Sequence, residues 1–195
     1  MAFQQDCLIL NSGYKIPQIG FRTFMSIPYE AERPVTWAIE AGYRHIDCAH
    51  AYQNELEVGY ALRKKFEDGT VKREDMFITS KLWCDSHRLK DVLPACLESL
   101  RKLDLKYLDL YLIHLPVSFK GMEKLVEVGY VRSIGVSNFN KAQIDRILAS
   151  CKIPPAVNQI EVSVNWPNQK LIDYCQSKGI QITGYAPFGS PGIMK

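Results

Sequence analysis

Polar residues stand where a series of short apolar runs ends along this 195-residue chain: Thr23, Asp47, Lys81, His114, Ser137 with Asn138, Gln159 and Tyr185. Tyr52 lies just past the run that ends near Asp47. A phenol is a poor proton donor at neutral pH, its pKa being about 10. A neighbouring ammonium such as Lys81 would stabilise the phenolate and lower that value. Asp47 could pair with Lys81 and neutralise its charge in a buried site. A neutral His114 could orient a substrate oxygen by hydrogen bond. Together these groups make a proton relay suited to reducing a carbonyl or oxidising an alcohol. The blander account makes Asp47 and Lys81 a structural ion pair and Tyr52 a cap on the next helix.

Such a set works only if the elements around it bring the run ends to one place. Segments of helical period alternate with the runs. Pro34, Val35, Ala38 and Ile39 start the first helix, and Gly42 closes it. Asn54 with Glu57 three residues on predicts a capped helix to about Phe66. The clearest stripe is Leu89, Val92, Leu93, Cys96, Leu97 and Leu100. Further helices are expected near Met122–Val128, Ala142–Leu148 and Lys170–Ser177. Seven strands alternate with them: Gln18–Phe21, His45–Ala49, Met76–Lys81, Leu108–His114, Ser133–Ser137, Ala156–Glu161 and Ile180–Tyr185. This alternation predicts βαβ units and a parallel sheet in a single domain over 1–195. Leu8–Leu10 and Tyr14–Ile16, flanking Asn11-Ser12-Gly13, predict an N-terminal β-hairpin. Ligands of parallel α/β folds bind at the carboxyl ends of the strands, where the polar residues stand.

Composition narrows the function classes. With 47% hydrophobic and 23% charged residues, the chain is neither disordered nor a coiled coil. A net charge of +3 is too mild to argue for nucleic acid. No apolar run approaches the ~20 residues of a membrane span, and the opening residues lack the layout of a secretory signal. Six scattered cysteines without a C-x-x-C pair read as reduced, mostly buried thiols of a cytoplasmic protein. Neither G-x-G-x-x-G after a strand nor G-x-x-x-x-G-K-[ST] occurs, which favours a barrel over an open nucleotide-binding sheet. His45-x-Asp47-x-x-His50 hints at a metal site, but alternation leaves His50 in a loop and no matching histidine pair follows. No metal is expected.

The motifs together are familiar. Gly42-Tyr43-Arg44-His45-Ile46-Asp47-Cys48-Ala49 with Tyr52-Gln53-Asn54-Glu55 resembles the first signature of the aldo-keto reductase family, in its aldose reductase branch. Phe77-Ile78-Thr79-Ser80-Lys81-Leu82-Trp83, Leu108 to His114 and Ile134-Gly135-Val136-Ser137-Asn138-Phe139 are similar to further signatures. The resemblance implies an α/β TIM (β/α)8-type barrel. It also implies NADPH-dependent reduction of aldehydes and ketones. By the same resemblance Tyr52 is the general acid, Lys81 and Asp47 tune it, and His114 orients the carbonyl. Ser137, Asn138 and Gln159 would hold the nicotinamide amide, Tyr185 would stack on its ring, and Thr23 and Asp47 would line its ribose. Phe24 and Trp83 would wall the substrate.

Several positions depart from that pattern. Gly20-Phe21-Arg22-Thr23-Phe24 stands where the family has Gly-x-Gly-Thr-Trp, so a long cation replaces a residue without Cβ near the cofactor cleft. Leu115 replaces a tryptophan, and Ser163-Val164 stands for His-Pro. Pro116 to Lys120 runs straight into Met122, so the family's long loop and helix are clipped. The chain ends at Lys195, before the family's eighth strand and C-terminal loop, and the barrel is therefore expected to be incomplete. Two open strand edges would be adhesive. The alternative to a reductase is thus a catalytically silent variant acting by protein–protein contact, with a monomer otherwise expected.

Overall fold

Turn residues and hydrophobic spacing translate into a regular series of elements. A computed structural model describes residues 5–26 and 30–189. Residues 1–4, part of the segment read for a secretory signal, lie outside it, as do residues 190–195. β1 (Cys7–Ile9) and β2 (Lys15–Pro17) form the antiparallel hairpin. Then follow β3 (Phe21–Arg22), α1 (Glu32–Glu40), β4 (His45–Asp47), α2 (Glu55–Glu67), β5 (Phe77–Leu82) and α3 (Leu89–Leu103). The series continues with β6 (Leu108–Ile113), α4 (Met122–Glu127), β7 (Val131–Ser137), α5 (Lys141–Leu148), β8 (Val157–Glu161), α6 (Gln169–Ser177) and β9 (Gln181–Tyr185).

The seven strands β3 to β9 pair in parallel in their sequence order, the curled sheet of an incomplete α/β barrel. Each helix returns the chain to the same end of the sheet, which makes the strands parallel, and their sequential order is that of a barrel rather than of a doubly wound sheet. Every residue of β5 and β6 is buried, as expected of strands covered on both faces. Ile78 and Leu82 face the helices with Val58, Leu62 and Val92, while Phe77, Leu110, Leu112 and Val157 face inward. Leu10 and Ile16 of the hairpin join that inner cluster, so the hairpin seals the amino-terminal end of the strands. Among the described residues β3 and β9 are each paired on one side only. A cleft of about 360 Å³ lies between them, lined by Gly20, Arg22, Thr183 and Tyr185 among others.

Several expectations need correction. The first barrel strand is Phe21–Arg22 rather than Gln18–Phe21, because Gln18 still belongs to the hairpin and its N–H bonds the Asp6 carbonyl at 3.0 Å. Asn54 stands at the start of α2, yet its side chain does not cap the helix. It bonds Thr23 instead, tying α2 to the end of β3. Leu89 and Leu97 of the α3 stripe are exposed, since the buried face narrows to Val92, Cys96, Ser99, Leu100 and Leu103. Pro94 is accommodated in that helix. All six cysteines are free; Cys48, Cys96 and Cys175 are buried, but Cys7 is exposed and Cys84 and Cys151 are half-buried. The clipped segment keeps a short helix, α4, anchored by the buried Met122 and Leu125. No helix among the described residues is long and apolar enough to cross a membrane.

Candidate active site

Strand parity decides which side chains meet. Arg22 is in register with Asp47, and Asp47 with Thr79, so Arg22, Asp47 and Lys81 share the inner face near the carboxyl end of the sheet. His114 follows β6, Ser137 ends β7, Gln159 sits within β8, and Tyr185 ends β9. Tyr52 comes from a short 3-10 turn, His50–Tyr52, directly after β4.

The Lys81 side chain has no exposed surface. Its ammonium donates to Asp47 Oδ1 at 2.6 Å and to the Cys48 carbonyl at 2.7 Å. It lies 4.9 Å from the centre of the Tyr52 ring. Among the described residues the phenol oxygen takes its hydrogen bond from another cation: Arg22 Nε donates to it at 2.9 Å. Arg22 Nε also stands 3.7 Å from Asp47 Oδ2. One carboxylate therefore faces two cations, and the centre carries a net positive charge.

That charge acts on His114. Burial first, then the nearby Lys81 and Arg22, pushes its pKa down from 6.5 to about 4, so the ring is neutral at neutral pH. The His114 ring packs edge-on against Tyr52 at 5.6 Å and against Trp83 at 5.0 Å. Phe24, half exposed, also packs against Tyr52, at 5.1 Å. Two apolar rings thus flank the phenol and the imidazole. His45, below the centre, is buried against Thr79 at 3.0 Å and is pushed toward its neutral form by desolvation.

A second polar group lies across the cleft. The Ser137 hydroxyl donates to the Gln159 main-chain oxygen at 2.9 Å. Asn138, held in the left-handed region at φ 65°, donates to the His114 carbonyl at 3.0 Å. Its side-chain oxygen accepts from the Tyr185 hydroxyl at 2.8 Å. Gln159 Oε1 is buried and has no partner among the described residues. Thr23 is brought near but not into the cleft: its buried hydroxyl donates to Asn54 Oδ1 at 3.1 Å.

The sequence marked Arg22 as out of place beside the cleft but assigned the neighbouring cation of the phenol to Lys81. The missing signal was parity: Arg22 lies at the inward position of its strand, level with Asp47. The role of Asn54 as a strut to Thr23 had no signal in spacing, because a cap and a strut use the same residue type.

Comparison with known proteins bears on this arrangement. The model of the Aldo/keto reductase family matches residues 23–195. An Arabidopsis thaliana protein, aldo-keto reductase family 4 member C11, is 43% identical over 94% of this chain and 65% of its own length. The aldose reductase of Schistosoma japonicum superposes with a TM-score of 0.90 at 46% identity, over 93% of this chain and 69% of that one. A Bombyx mori aldo-keto reductase in complex with NADP gives 0.92 at 41% identity, over 98% and 71%. The chain thus spans about two thirds of the length of these relatives. With the family model covering most of its length and these levels of identity, the chain belongs to the aldo/keto reductase family.

Proposed function

We propose that this chain reduces aldehydes and ketones to alcohols with NADPH as hydride donor, Tyr52 giving the proton to the carbonyl oxygen. The observation that carries the reading is the meeting of Tyr52 with a buried Lys81–Asp47 pair and a neutral His114 at one end of the sheet. The similarity to an aldose reductase and to a relative in complex with NADP supports it.

The residues present fit a nicotinamide. Gln159 Oε1 is a buried acceptor without a partner among the described residues, and such a group is costly unless something satisfies it. An amide N–H of the carboxamide would do so, with Ser137 and Asn138 beside it and Tyr185 as the ring to stack on. Asp47 lines the cleft where the ribose would pass. When bound, the reduced nicotinamide supplies the hydride for the carbonyl carbon.

The chain's own residues do the rest. The His114 imidazole, neutral over the physiological range, donates a hydrogen bond that orients the carbonyl. Phe24 and Trp83 exclude water from the apolar part of the substrate. As the C=O bond becomes single, the Tyr52 proton passes to its oxygen. Lys81, held by Asp47, stabilises the phenolate left behind.

Tyr52→Phe removes only the hydroxyl. NADPH-dependent turnover of simple aldehydes should fall by roughly 10²–10⁴-fold, the scale of general acid catalysis, with an unchanged circular dichroism spectrum. Turnover retained in the variant, or no turnover by the folded parent, overturns the reading.

A further inference from the structure

The Arg22 guanidinium sits among three aromatic rings. Its central carbon is 4.7 Å from the centre of Tyr185, 4.9 Å from Phe24 and 5.3 Å from Tyr52. The distance to Tyr185 falls in the range of about 4.5–7 Å at which a stacked aromatic ring would place its own centre. A planar ligand and this planar cation cannot share one face of Tyr185. The same side chain also occupies the Tyr52 oxygen through Nε.

We propose that Arg22 is a resident competitor for the cofactor: its guanidinium lies against Tyr185 and Tyr52, and it must be displaced before a nicotinamide can stack. The inference rests on the reading of Tyr185 as the ring that stacks on the cofactor, and it adds a gate to that site.

The holding contacts are few enough to release. Asp47 is bound closely by Lys81 at 2.6 Å and only loosely by Arg22 at 3.7 Å, so it does not need Arg22 for neutralisation. Among the described residues the two terminal nitrogens of Arg22 make no hydrogen bond, and its side chain keeps 26% of its surface exposed. Because that side chain already reaches solvent, its displacement leads outward and leaves the cleft, which it now helps line, to the cofactor. What is given up is one hydrogen bond from a charged donor and a cation–π contact. That is enough to weaken binding by about tenfold.

The test is a fluorescence titration with NADPH of the parent chain, Arg22→Ala and Arg22→Met, each checked for fold by circular dichroism. Both variants should bind about tenfold more tightly than the parent. The gain should vanish when the same changes are made on a Tyr185→Ala background. Removing a cation would by itself weaken binding of an anionic cofactor, so tightening cannot come from charge. Equal or weaker binding by both variants, with binding measurable in all, overturns the gate and leaves the cofactor reading standing. No binding even by Arg22→Ala, whose stacking face is cleared, overturns the cofactor reading and the gate with it.

Discussion

The Lys81 ammonium lies 2.6 Å from the Asp47 carboxylate, and the two side chains come from adjacent parallel strands, β5 and β4. Both side chains are buried, so each depends largely on the other for its solvation, Lys81 also on the Cys48 carbonyl. Attraction between two buried charges roughly offsets what their desolvation costs, and removing one partner exposes that cost in full. Lys81→Met should therefore destabilise the fold by about 3–5 kcal/mol, read as a lower urea midpoint. Lys81→Met combined with Asp47→Asn should recover part of the loss. A single variant as stable as the parent would show that Arg22 alone suffices for Asp47.

The neutral state of His114 has a consequence for acid stability. Its pKa is about 4 in the fold, against 6.5 ordinarily. Between these values the unfolded chain takes up a proton that the folded chain refuses. Stability present at neutral pH is therefore lost as pH falls from 6.5 toward 4. His45, also depressed by burial, acts in the same direction. Asp68 and Glu98, held down to about 2 by Lys65 and Arg101, lose their contribution only at lower pH. His114→Gln should flatten the decline of the urea midpoint across the upper window. An unchanged slope would show that His114 titrates normally.

Gly135 is the close-approach point of the sheet. A Cβ there would stand 2.6 Å from the Val157 carbonyl oxygen and 2.7 Å from a Leu112 methyl. The first obstacle is backbone of the paired strand β8, which cannot step aside. Gly135→Ala should cost about 1–3 kcal/mol or more by overpacking, with a matching drop in melting temperature. A neutral effect would mean that β7 and β8 can separate without loss.

Much of the fold was legible because each element carries its own local signal. Gly42 at φ 100° ends α1 where the apolar period stops, and the apolar run Leu110–Ile113 that ends β6 marks a strand buried on both faces. Alternation made the strands parallel, while the absence of the open-sheet nucleotide motifs and the family resemblance pointed to the sequential barrel order. The residues of the candidate site were legible for the same reason: they are the polar positions at strand ends. Partnership was not. Asn54 reads as a cap by type and spacing, yet Thr23, 31 positions away in sequence, claims its side chain. Leu89 and Leu97 fit the α3 stripe, but only the neighbouring α2, α4 and sheet determine how wide a face is covered. Lys81 and Arg22 are both cations one strand end away from the same phenol, and their types do not rank them. Periodicity and turn chemistry act within a few residues, so the sequence by itself determined the elements, their order and the identities at the rim. Hydrogen bonds and charge pairs act over a few ångströms between strands far apart in the chain. Only the curl and register of the sheet therefore decided that Lys81 would serve Asp47 while Arg22 took the Tyr52 oxygen.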